Sequence, residues 1–96
     1  MTAIAERTFD VVDGGEIRVR VFQPEFRPTG DFGCEIEIAW PEPREPTRRT
    51  IYGIDALQAL QLALRHLPAL LEGSPESKAG RIRFQGSSEL GLFPLL

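Results

Sequence analysis

Hydrophobic and polar positions alternate along most of the first half of this chain. Thr8-Phe9-Asp10-Val11 predicts a strand near residues 4–12. Ile17, Val19 and Val21 alternate with Glu16, Arg18 and Arg20, which predicts a second strand over 16–22 with one buried and one wet face. Asp13-Gly14-Gly15 between them is a tight-turn signal, because glycine reaches positive φ without a steric clash. The clearest alternation follows at 32–40. There Phe32, Cys34, Ile36, Ile38 and Trp40 are expected in the core, with Glu35 and Glu37 outside. Residues 23–31, with two prolines and a glycine, are expected to form a loop. Pro41, Pro43 and Pro46 interrupt regular structure again. Arg48–Tyr52 predicts a fourth strand, with Arg49 and Ile51 on one face and Thr50 and Tyr52 on the other.

The pattern then changes period. In Gly53–Leu67 and beyond, Leu57, Leu60, Leu64, Leu67 and Leu71 recur at spacings of three and four. That predicts an amphipathic helix whose leucine stripe faces the sheet. Ala59 and Ala63 are small enough for the sheet to approach closely. Asp55 and Gln58 have the spacing of a capping box, with Gln58 expected to reach back to the Asp55 amide. Pro68 removes one backbone donor and is expected to kink or loosen the last turn. Gly73-Ser74-Pro75 ends the helix. Arg81–Gln85 predicts a fifth strand, with Ile82 and Phe84 inward and Arg81 and Arg83 outward.

These elements define an α+β fold. A mostly antiparallel sheet of about five strands packs on one helix, in the order strand-strand-strand-strand-helix-strand, as a single domain over residues 1–96. Short connections favour a meander of the first four strands. The fifth strand has two placements that the pattern leaves open, antiparallel beside the first or parallel beside the fourth. Leu92-Phe93-Pro94-Leu95-Leu96 is apolar for a chain end, so we expect it to dock, either on its own sheet and helix or on another molecule.

Composition narrows the function classes. A length of 96 residues allows one small core, and 42% hydrophobic with 26% charged residues is globular rather than disordered. The net charge of −3 disfavours nucleic acid as a partner. The helix is short and carries Arg65, His66 and Pro68, which argues against a membrane span, and we expect no membrane partner. Residues 1–7 lack the basic start and apolar run of a signal peptide, and Cys34 is the only cysteine, so cytoplasmic residence is expected.

Candidate chemistry is sparse. His66 has no neighbouring nucleophile or orienting partner, and Cys34 alternates with apolar residues as a buried thiol does. No phosphate-binding loop, paired histidines or nucleophile elbow is present. No residue is therefore assigned a catalytic, cofactor or metal-binding role, and no cofactor is expected. Arg18 and Arg20 are expected opposite Glu35 and Glu37 on the wet face. Arg18, Arg20, Arg48, Arg81, Arg83 and Phe93 together are the candidate partner surface.

The run Tyr52-Gly53-Ile54-Asp55-Ala56-Leu57-Gln58-Ala59-Leu60, preceded by Val19-Arg20-Val21-Phe22-Gln23-Pro24 and Cys34, resembles an uncharacterised family of small bacterial proteins. Their helix begins Gly-Val-Asp-x-x-Gln-Ala-Leu, with valine where this chain has Ile54. Their ending is similar to Leu90-Gly91-Leu92-Phe93-Pro94, which holds one extra residue here. The resemblance implies a bacterial origin and a small α+β fold, and it brings no activity. The resulting expectation is a non-enzymatic protein-interaction domain, antitoxin- or immunity-like or regulatory, with a protein partner or a second copy. The alternative is a small-molecule-binding or enzymatic domain with a site between helix and loops.

Overall fold

The computed structural model describes residues 2–91. The elements are β1 (Ala3–Val11), β2 (Glu16–Phe22), β3 (Glu25–Phe26), β4 (Phe32–Ala39), β5 (Thr47–Gly53), α1 (Ala56–Glu72), α2 (Pro75–Lys78) and β6 (Ile82–Arg83). The fold is α+β, an antiparallel sheet of six strands with one main helix, as expected.

The β1–β2 hairpin forms where the turn signal stood. Asp13 and Gly15 adopt φ of 66° and 81°, and the Val11 amide donates to the Gly15 carbonyl at 3.0 Å. The register pairs Phe9 with Ile17 and Arg7 with Val19, so the alternating apolar residues share one face. β2 pairs β4 antiparallel, and β4 pairs β5. Inside the expected loop, Glu25 and Phe26 form β3, which pairs with Gly33 and Phe32. Because β5 also pairs with Phe32 and Gly33, β3 lies on the other side of β4, where it prolongs β2. Two residues are too few for a periodicity to register, which is why the sequence pattern showed only a loop there.

β6 settles the open placement. Ile82 pairs Val11 and Arg83 pairs Asp10, antiparallel, at the far edge of β1. The main strands therefore run β5-β4-β2-β1-β6 across the sheet. β6 is shorter than the expected strand over 81–85. At Phe84 the chain leaves β1 for a small turn in which the Phe84 amide donates to the Ser87 carbonyl and the Ser87 amide donates to the Phe84 carbonyl.

α1 lies across β4 and β5 on the inner face. Its contact stripe is a correction to the leucine reading. Ala59, Ala63, Leu67 and Leu71 are the buried residues, Leu60 and Leu64 are half-buried, and Leu57 is 65% exposed. The cause lies at Gly53. A β-carbon built there would stand 2.4 Å from the Ala59 amide nitrogen, so the helix start rests on the strand backbone itself. That approach requires small residues along the contact line, and it turns Leu57 toward the rim while Leu60 and Leu64 still pack against the core.

The cap differs in one detail. The Asp55 carboxylate accepts from the Gln58 amide at 2.7 Å, as expected. The Gln58 side chain accepts from the Ile54 amide at 2.8 Å rather than from that of Asp55. Both bonds pin the strand-to-helix turn. Asp55→Ala should lower stability by about 0.5–2 kcal/mol in a denaturant titration. The helix continues through Pro68 to Glu72, and Ser74 then caps α2, a single short turn.

The core contains Phe9, Val11, Ile17, Val19, Val21, Cys34, Ile36, Ile38 and Trp40 from the sheet. Ile51, also expected inside, is half-buried because it sits on the edge strand. The apolar tail expected to dock, including Phe93, lies outside the described residues.

Candidate interaction surfaces

The outer face of the sheet carries a ladder of alternating charge. Arg20 Nε lies 3.0 Å from Glu6 Oε2, Arg20 Nη1 lies 3.8 Å from Glu37 Oε1, and Arg48 Nε lies 2.8 Å from Glu37 Oε2. Arg18 Nε stands 3.7 Å from Glu6. Strand register produces this order, because Glu6, Arg20, Glu37 and Arg48 are successive cross-strand partners on β1, β2, β4 and β5. Glu37 pairs Arg20 as expected, whereas Arg18 sits opposite Ala39 and not Glu35. Glu37 is only 9% exposed although it points to the wet face, because the arginines on both sides cover it. The exposed pairs contribute little individually, roughly 0–1 kcal/mol.

Three residues of the candidate partner surface, Arg18, Arg20 and Arg48, thus lie on this face and engage the protein's own carboxylates. Arg81 and Arg83 are at the opposite edge of the sheet. Arg81 donates through Nε and Nη2 to the Val12 carbonyl, and Arg83 donates to the carbonyls of Gly80 and Ile82. Four strand spacings separate β5 from β6, about 19 Å. That exceeds the ~8 Å screening length at physiological salt, so the two groups act independently on a charged partner.

A second surface was not anticipated. Phe26, Tyr52, Ile54 and Leu57 are 67%, 49%, 78% and 65% exposed. Register brings them to one end of the domain, since Phe26 pairs Phe32, Phe32 pairs Gly53, and Gly53 leads into Ile54 and the first turn of α1. The Phe26 and Phe32 rings meet edge to face at 5.4 Å, and the Arg27 guanidinium stacks 4.2 Å over Tyr52. Tyr52 pairs Gly33 and so faces the outer side of the sheet, whereas Phe26 pairs Phe32 on the inner side, so at on the order of 200 Å2 for a large side chain the roughly 500 Å2 exposed in all is divided around this end of the sheet. Leu57 was read as core because its spacing fits the leucine stripe. Only the close helix–strand contact at Gly53 shows otherwise.

An open depression of 640 Å3 lies at the other end of the sheet, between the β1–β2 turn and the segment after β4. Gly15, Glu16, Arg18, Trp40, Pro41 and Glu42 line it. This is not the place between helix and loops where a small-molecule site was expected. Arg18, the one cation in its lining, stands 3.7 Å from Glu6 outside it, and among the described residues no buried side-chain nitrogen or oxygen lacks a hydrogen-bond partner.

Cys34 is fully buried, its thiol donates to the Phe22 carbonyl at 3.3 Å, and burial pushes its pKa up. A thiol held in the protonated form is a poor nucleophile. Ellman's reagent should therefore modify Cys34 far more slowly in the native protein than in denaturant. A native rate equal to the denatured rate would show that the β2–β4 region opens freely. His66 is exposed on α1. Among the described residues no three His, Cys, Asp or Glu side chains come together as a metal site, and no helix is long and apolar enough to cross a membrane.

These features define a class: a small α+β domain with an open antiparallel sheet, a self-neutralised charged face and an apolar rim beside the helix start. The chain matches the family described as Domain of unknown function (DUF6968) over residues 5–94 and belongs to that family. No curated protein matches the chain, and no solved structure matches it.

Proposed function

We propose that this chain is a non-enzymatic protein-interaction domain of a bacterial cytoplasm, acting as an accessory or antitoxin-like partner. The apolar rim of Phe26, Tyr52, Ile54 and Leu57 is the observation that supports this reading. Four large side chains left in water gain little from folding, and burying them on binding is favourable. The mixed aromatic and arginine character, with Arg27 on Tyr52, is typical of protein contact surfaces. The scattered chemistry of Cys34 and His66 offers an enzyme no paired nucleophile and base.

A photo-crosslinking residue placed at Ile54, expressed in the source organism, tests the reading. A discrete protein adduct is expected, and it should disappear when Leu57→Asp is added in a chain that still folds. Absence of any adduct, or an adduct indifferent to Leu57→Asp, would count against the rim as a contact surface.

A further inference from the structure

Resting on the reading of the chain as a protein-binding domain, we infer that the free edge of β5 accepts an extended, acidic segment of a partner as an added strand. Arg49 guards that edge until the segment arrives.

β5 spans Thr47–Gly53 and pairs with β4 in an unbroken register of seven residues. Among the described residues no other strand pairs with it. Its second side is thus a long, regular row of backbone donors and acceptors, the feature that added strands recognise. The strand contains no proline and no bulge. The protection it does carry is charge, in Arg48 and Arg49.

The two arginines behave differently. Arg48 is held by Glu37 at 2.8 Å. Arg49 has no carboxylate within salt-bridge distance among the described residues, and its Nη1 folds back to donate to the Arg48 carbonyl at 2.9 Å. Alternate residues of a strand send their backbone groups to opposite sides. Followed across β2 and β4 from the bond between the Val11 amide and the Gly15 carbonyl, the registers turn the backbone groups of Arg48, Thr50 and Tyr52 away from β4. At rest Arg49 satisfies an acceptor that an incoming strand would use. A carboxylate on that strand draws Arg49 away, and the released Arg48 carbonyl then takes a backbone amide. The Arg48 carbonyl keeps a partner in both states.

The same charges select the occupant. Two copies joined through β5 would bring four arginines together across the new ladder, and like charges there are destabilising. An acidic segment meets no such repulsion and gains a charge-assisted bond to Arg49. The other edge is less available. β6 covers Asp10 and Val11 of β1, and Arg7 lower on that strand holds the carbonyls of Leu90 and Gly91 at 3.1 and 3.0 Å.

Panning the full chain against a random-peptide library, followed by hydrogen exchange on the complex, tests this. Enriched peptides should be acidic and should slow exchange at alternate amides along β5. Arg49→Glu should weaken them by at least about tenfold, while Lys78→Glu, the same charge change on exposed α2, should leave affinity within about twofold. Arg49→Gln replaces the first variant if that one fails to fold. Peptides that protect only the apolar rim, or that ignore Arg49, would overturn the edge inference and leave the interaction reading standing. No enriched peptide at all would count against both.

Discussion

Gly53→Ala should be among the most damaging single substitutions in this protein. A β-carbon at that position would stand 2.4 Å from the Ala59 nitrogen, 2.9 Å from its α-carbon and 3.0 Å from the Gln58 carbonyl carbon. All three are backbone atoms inside a helix, so no side-chain rotation relieves the clash. Relief requires moving α1 off β5, which opens the contact that buries Ala59 and Ala63. Overpacking typically costs about 1–3 kcal/mol, and a clash of backbone on backbone belongs at or above the top of that range. Thermal and denaturant unfolding should both show the loss. If Gly53→Ala melts like the unmodified protein, the helix does not rest on β5 as described. Enlarging Ala59 or Ala63 to leucine should act in the same direction, since both are fully buried on the same line of contact.

Phe9→Ala should cost about 3–5 kcal/mol, a large part of the stability of a domain this size. Phe9 has no exposed surface, pairs with Ile17 across the β1–β2 ladder and meets the Phe84 ring edge to face at 5.8 Å. Its removal acts on two elements at once, the hairpin core and the chain after β6. Arg7 stacks 4.2 Å over the other partner, Phe84, and so adds a second tie to that same segment. Hydrogen exchange should therefore quicken over residues 82–91 before it quickens in α1. Uniform loss of protection instead would mean that the segment after β6 is no more weakly held than the rest.

Much of the fold was readable in the chain itself. Two-residue alternation marked β1, β2, β4 and β5, and Asp13-Gly14-Gly15 marked the hairpin, because strand faces and turn backbones are local matters. The interaction surfaces were less legible. The outward position of Arg18, Arg20 and Arg48 followed from alternation, but their pairing with Glu6 and Glu37 depends on which strands become neighbours. Alternation placed Arg49 on one strand face with Ile51, and its bond to the Arg48 carbonyl has no sequence signature. Phe26 stood in a loop by every local signal.

The α1 stripe shows where local reading ends. Leucine spacing identifies a helix and its apolar side, since 3.6 residues per turn bring positions three and four apart together. It does not say which part of a broad apolar arc meets the sheet, and that choice separates buried Leu67 from exposed Leu57. The sequence by itself determined the element types, the turn and the face of each strand, because these depend on residues a few positions apart. Only the tertiary structure decided that β6 joins β1, that Ala59 rather than Leu57 touches β5, and that among the described residues nothing covers the rim or pairs with the β5 edge. Those outcomes depend on contacts between residues far apart in the chain, where packing distance and backbone approach overrule local preference.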